Sequence, residues 1–318
     1  KAPRCQGSRC IRCVCAGWIS AKYAFILRGR GAWLTGPWHS QPNCKPVQAR
    51  GTIVKERKVD VAIIGSGSAG LYALGKVRPS GKSFVLINGG ELGTTCARVG
   101  CMPSKALIES AKLYQRIKKD ALKFGIEGID KKALGFNYSK ASKRANTVVT
   151  RLTKGVEFLL QKNGVEIIQG EAKILKNNTV AVNNRNLETK NIVISTGSYY
   201  PEIKNIPNEI VLSPKELFAS EEIPQNIVVY GESSVAVEFA QLYNMIGKNV
   251  TLIVPANRIM PLADEHIANY MTGVLKKEKI NVIFDVILDT AKVKYSKGEL
   301  NISGDTIPCD LIINAQKR

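Results

Sequence analysis

Val59-Asp60-Val61-Ala62-Ile63-Ile64-Gly65-Ser66-Gly67-Ser68-Ala69-Gly70 runs from a short apolar segment straight into a glycine-punctuated turn, and a helical stretch follows. Residues 59–64 predict a buried strand. The turn is G-x-G-x-x-G in the strand-to-helix setting that gives the pattern meaning. Its first Gly permits the tight turn, its second lets a pyrophosphate approach the backbone, and its third lets helix and strand pack closely. The helix N-terminus behind it offers free N–H groups to phosphate. Gly65, Ser66, Gly67, Ser68, Ala69 and Gly70 are therefore candidate dinucleotide contacts. The next strand, 83–87, should deliver a ribose-binding group about 20 residues past the fingerprint. That residue is Asn88, followed by Gly89. Asn can hydrogen-bond a hydroxyl but lacks the charge that makes a carboxylate a strong acceptor.

Working outward, short apolar runs alternate with helical segments, the signature of an α/β protein with a parallel sheet and crossover helices. Residues 143–161 predict an amphipathic helix with Val148, Leu152, Val156, Leu159 and Leu160 near helical spacing, and strands follow at 165–168 and 172–174. A second nucleotide unit begins with a strand at 227–230 and continues Gly231-Glu232-Ser233-Ser234-Val235-Ala236-Val237-Glu238. Ser233 and Ala236 stand where the second and third Gly of a fingerprint belong. Ala is tolerable at the third position, but a side chain at the second crowds a pyrophosphate. Val254 closes the next strand, 250–254, where NAD enzymes carry an acid. Neither that acid nor an Arg cluster for a 2′-phosphate is evident, so these residues leave NAD and NADP open.

Composition narrows the field. The chain has 318 residues, 44% hydrophobic and 23% charged, a balance that argues against a disordered or fibrous protein. No run approaches the roughly 18 uninterrupted apolar residues that span a bilayer, so no membrane partner is expected. Residues 1–53 hold nine Lys or Arg and no acid, leaving 37 basic against 26 acidic residues, a net of +11, in the remainder of a +20 chain. That excess is not clustered in a nucleic-acid module, and no nucleic-acid partner is expected. The same leader holds Cys5, Cys10, Cys13, Cys15 and Cys44 and all three Trp without periodicity, and it is expected to stand outside the fold. Cys10 and Cys13 lack a second ligand pair, so no metal site is expected.

The most informative chemistry is Leu92-Gly93-Thr94-Thr95-Cys96-Ala97-Arg98-Val99-Gly100-Cys101-Met102-Pro103-Ser104-Lys105. Two cysteines five apart, entering a helix whose N-terminus favours thiolates, suit a reversible redox disulfide; two buried structural thiols are the alternative. The stretch resembles the G-G-T-C-x-x-x-G-C-x-P-S-K motif of the flavoprotein disulfide reductases, with Thr94 replacing the second Gly. Within that family it is most similar to the dihydrolipoamide dehydrogenase group. Residues Gly170-Glu171-Ala172 and Ser195-Thr196-Gly197-Ser198 resemble further flavin-domain segments. Asp310 to Arg318 is similar to D-x-x-x-x-A-x-G-R, with Lys317 in place of Gly.

The resemblance implies a Rossmann-like FAD domain begun by residues 54–205 and a Rossmann-like NAD domain in 206–318. The C-terminal dimerisation domain is expected to be absent from this chain. It implies FAD contacts at Thr94, Thr95, Lys105, Ala172, Thr196, Gly197 and Ser198, and pyridine-nucleotide contacts at Gly231, Ser233, Ala236, Glu238 and Val254. Cys101 would face the flavin, Cys96 would exchange with a dithiol substrate, and Lys105 would pair with Glu238. The implied partners are a lipoyl-bearing protein or small disulfide and a second subunit, in the cytoplasm. A related reductase such as mercuric reductase, or a catalytically incompetent nucleotide-binding fragment, is the rival. His39 and His266 match neither member of the family's acid/base pair, so this sequence alone is expected to be a poor catalyst.

Overall fold

The computed structural model describes residues 57–318 except 177 and 291; the leader lies outside the described residues. Chain order begins β1 (Arg57–Ile64), α1 (Ser68–Val77), β2 (Phe84–Asn88), α2 (Thr95–Val99), α3 (Cys101–Asp120), α4 (Tyr138–Lys162), β3 (Ile167–Gln169), β4 (Ala172–Ile174), β5 (Thr179–Val182) and β6 (Arg185–Ile194). These strands form one sheet in the order β3-β2-β1-β6-β5-β4. The first four neighbours are parallel and the last three antiparallel. Val61, Ala62, Ile63 and Ile64 are all buried, as the central strand of a sheet covered on both faces must be.

The second half repeats the plan. It runs β7 (Val211–Leu212), α5 (Pro214–Leu217), β8 (Asn226–Tyr230), α6 (Ser234–Met245), β9 (Asn249–Ile253), α7 (Glu265–Lys277) and β10 (Asn281–Ile283), then β11 (Val293–Ser296), β12 (Glu299–Ile302), β13 (Asp305–Pro308) and β14 (Leu311–Asn314). Its parallel sheet is ordered β10-β9-β8-β14-β7, and β11, β12 and β13 make a separate antiparallel meander. In the first sheet β1 lies between β2 and β6, and in the second β8 lies between β9 and β14. That is a doubly wound switch point, which opens a crevice at the carboxyl ends of β1 and β8.

The helices join the halves. Leu107 and Ala111 of α3 and Tyr138, Ala141 and Ala145 of α4 share one hydrophobic cluster with Leu217, Phe239, Tyr243 and Ile313. The Tyr138 hydroxyl lies 3.2 Å from the Leu217 carbonyl and 3.3 Å from the Tyr243 hydroxyl. Helix α4 starts five residues earlier than its apolar periodicity predicts. Its N-terminal half buries small residues, Ala141, Ser142 and Ala145, which weigh little in a hydrophobic pattern. Leu159, expected on the inner face, is 57% exposed.

The edge of β1 carries a pH-sensitive tie. Asp60 pairs with Lys190 at 2.8 Å and accepts from the Ser83 hydroxyl at 2.7 Å, and these contacts, Lys190 foremost, hold its carboxyl well below the usual range. A depressed carboxylate contributes stability above its ordinary pKa of about 4, lost as pH falls toward the folded value. Asp60→Asn is therefore expected to melt below the parent at pH 7, with the deficit shrinking below about pH 4. Melting curves across pH 7 to 3 check this; a deficit constant with pH would refute it.

Candidate functional site

At the carboxyl end of β1, Gly65 adopts φ +103°, and a Cβ there would overlap the Ser195 carbonyl. A Cβ on Gly70 would overlap the carbonyl of Gly65 itself. Around Gly67, by contrast, a Cβ would meet nothing within 4 Å. Two glycines are thus spent on close packing, and the third leaves the backbone open at the N-terminus of α1, which has no side-chain cap. A dinucleotide pyrophosphate fits that opening. Ser68 and Ala69 are exposed beside it, while Ser66 is buried. Ser195, quoted in the 195–198 sequence segment but given no role of its own, pins the turn: its hydroxyl donates to the carbonyl of Ile64 at 2.7 Å. Thr196, Gly197 and Ser198 continue exposed from this point.

Asn88, the group expected at a ribose, is engaged within the protein. It is 4% exposed, its Oδ1 accepts from the Ser66 hydroxyl at 2.6 Å, and its amide nitrogen donates to Gly90 O and to Gln169 Oε1. It ties the β1 turn to β2 and β3. Gly89 is exposed next to it, and Ala172 is half-buried beyond β3.

The cysteine segment is held by its neighbours. Thr94, the departure from the family motif, caps α2 by accepting from Ala97 N–H at 3.1 Å. Thr95 opens that helix, and Arg98 ties its far end to Glu91. Cys96 and Cys101 are exposed free thiols. Cys101 is the first residue of α3, where an exposed helix terminus meets the sulfur. The Cys96 thiol is pushed up chiefly by its hydrogen bond with Cys101 and next by burial, while the Lys105 charge works against the rise.

Lys105 lies one turn beyond Cys101 on the same face of α3. Its Nζ sits 2.7 Å from both carboxylate oxygens of Glu238 on α6, joining the two halves. With side chains 55% and 35% exposed, such a pair contributes at most about 1 kcal/mol. Stability alone does not explain it. Glu238→Gln is expected to change the melting temperature by no more than about 3 °C, and calorimetry checks this. A much larger fall would make the bridge a structural clamp.

The second turn is tighter. A Cβ on Gly231 would overlap the Ala315 carbonyl, matching Gly65, and Ala236 is fully buried. Ser233 occupies the position that is open in the first turn, and its hydroxyl donates to Ala315 O at 3.2 Å. Val254, expected at a nucleotide, is fully buried in the core and its N–H bonds Ile283 O. His266 is exposed on α7. Among the described residues no cluster of three metal-ligating side chains occurs, and no helix is long and apolar enough to cross a membrane.

Two dinucleotide folds bracketing a dithiol and an interdomain Lys–Glu pair define an α/β oxidoreductase of the thiol–disulfide class. The pyridine nucleotide-disulphide oxidoreductase family matches residues 59–315, and the chain belongs to that family, which uses FAD and NAD. It is 34% identical over 262 residues to the dihydrolipoyl dehydrogenase of Acholeplasma laidlawii, covering 79% of this chain and 77% of that protein. It is 34% identical over 228 residues to a dihydrolipoyl dehydrogenase of Bacillus subtilis, covering 70% and 49%. The solved structure of the HOCl-induced flavoprotein disulfide reductase RclA from Escherichia coli shares the fold. It has a TM-score of 0.65 at 22% identity, over 80% of this chain and 56% of that one. The chain thus spans about half the length of several relatives it matches, and more of the Acholeplasma protein.

Proposed function

We propose that the chain acts as a dihydrolipoyl dehydrogenase-type oxidoreductase in which Cys96 and Cys101 form the redox pair, residues 54–205 hold FAD and residues 206–318 hold NAD. The observation that carries this reading is the Cys96–Cys101 pair beside Lys105, whose ammonium is in turn held by Glu238. When bound, FAD would relay an electron pair between the dithiol and a nicotinamide nucleotide. The residues named for it are Gly65, Gly67 and Gly70 at the phosphates and Lys105 near the ring.

The chain's own chemistry is disulfide exchange. A substrate thiolate attacks the Cys96 sulfur of the oxidised pair, forming a mixed disulfide and breaking the Cys96–Cys101 bond with release of the Cys101 thiolate. The second substrate thiol then attacks its own sulfur in that bond and releases Cys96. The substrate has gained a disulfide and lost two electrons, which the enzyme dithiol now holds. Of the two substrate thiol protons, one is retained by the enzyme dithiol and the other leaves to solvent. Lys105 supplies fixed positive charge beside the anionic sulfur. The proposed substrate class is a protein-bound dihydrolipoyl dithiol, with a second subunit completing the enzyme.

A nucleotide-binding protein with little turnover is the second reading, favoured by the occupied Ser233 position and the buried Val254. One experiment separates them. The full chain is loaded with FAD and titrated anaerobically with dihydrolipoamide while visible absorption is recorded. A new long-wavelength band that requires Cys101 is the expected result. Flavin retained without any spectral response to dithiol would favour the second reading.

A further inference from the structure

We propose that the Glu171 carboxylate is the acceptor for the adenosine ribose hydroxyls of the dinucleotide held on the first turn, replacing the acid missing from the end of β2. The inference rests on the FAD reading above and adds a side chain to it. Its starting point is the engaged amide of Asn88, which Ser66, Gly90 and Gln169 occupy within the protein. The end of β2 therefore offers no strong acceptor of its own.

The neighbouring strand supplies one. Strand β3 pairs in parallel with β2, with Asn88 opposite Gln169, and the Gly170 N–H donates to the Asn88 carbonyl at 2.9 Å. The turn after β3 is fixed further by Asn183, whose amide donates to Gln169 O at 2.6 Å and whose side chain fills the space a Cβ on Gly170 would need. Residue 171 is thereby directed across the end of β2. Its carboxylate rests over Gly89: a Cβ there would lie 2.5 Å from Glu171 Oε1 and 3.1 Å from Oε2. The absent side chain at Gly89 makes the seat.

This places an exposed carboxylate at the carboxyl edge of β2, one strand from the phosphate turn on β1. In a dinucleotide fold that edge faces the ribose next to the adenine. A carboxylate has two oxygens and accepts from a cis-diol without rearrangement, and a hydrogen bond to a charged group is stronger than the neutral one Asn could make.

The test measures FAD binding to the full chain by quenching of flavin fluorescence, for the parent, Glu171→Gln and Glu171→Ala. FAD is compared with its analogue carrying 2′-deoxyadenosine. The parent is expected to prefer FAD over the analogue, and both variants to bind FAD about tenfold more weakly and lose that preference. Gly89→Ala is expected to weaken binding in the same direction, because it pushes aside the flexible carboxylate while leaving the fold's melting temperature unchanged. Parent-like affinity in both Glu171 variants would overturn this assignment alone, as would weakened binding with the preference intact. A parent chain that fails to bind FAD would overturn the cofactor reading and this inference with it.

Discussion

Cys101→Ser is expected to abolish dithiol-driven reduction by the full chain, by a factor on the order of 10^3 or more, while leaving flavin affinity and melting temperature close to the parent's. The substitution removes the sulfur that leaves when a dithiol attacks its partner, so no internal disulfide can form or be reopened. Cys96→Ser is expected to be equally damaging to turnover but different in the spectrum. It leaves a sulfur beside Lys105, so a long-wavelength band independent of added dithiol should persist, whereas Cys101→Ser should lack the band altogether. Both side chains are exposed, and Ser is nearly isosteric with Cys, so neither change threatens the core. Anaerobic titration of the two variants side by side is the measurement. Retained turnover in either variant would remove the pair from the chemistry.

The second large effect concerns stability. Gly70→Ala puts a methyl group onto the backbone oxygen of Gly65, which sits in the turn and cannot swing away as a flexible side chain could. A cost of about 3 kcal/mol or more follows, or a fall in melting temperature on the order of 10 °C, with loss of FAD binding. Gly75, five residues further along α1, is the control. A Cβ there meets nothing within 4 Å, and a glycine in a helix interior costs about 0.5–1 kcal/mol relative to Ala. Gly75→Ala is therefore expected to raise the melting temperature slightly. Opposite signs from the same chemical change in one ten-residue helix would establish that residue 70 is held by close approach and not by helix propensity. If both variants melted alike, the packing account of the fingerprint's third glycine would fail.

What the sequence made legible follows from how locally each feature is encoded. The first fingerprint was readable because its glycines answer to steric demands of a single turn, and the strand before it because an apolar run interrupted only by Asp60, in a parallel sheet, needs no partner to be recognised. The cysteine segment was readable as chemistry, although its expected neighbour Glu238 came from resemblance; 133 positions separate Glu238 from Lys105. Other features were set by tertiary neighbours. Asn88 looked like a ribose ligand because only strand order was visible, whereas its partners Ser66 and Gln169 emerge once β3 lies beside β2. Val254 was read only as the end of a strand at a nucleotide position; the loop returning after β10 covers it, with Val286 N–H donating to its carbonyl. Ser195 and Glu171 belong to turns whose meaning depends on which strand end they cross. The inner face of α4 escaped for a simpler reason: alanine and serine allow helices to approach without announcing themselves as core.

Helix α3 starts with Cys101, carries Lys105 on its second turn and buries Leu107 and Ala111 in the cluster organised around the second sheet. At 1.5 Å of rise per residue, the sulfur and Leu107 are about 9 Å apart along one rigid rod. The electron-handling end of the molecule is thus bolted to the packing of the opposite half. Hinge motion between the two sheets would have to drag the thiol with it. A cavity opened under Leu107 would then be felt as a drift in the reduction potential of a pair it never touches.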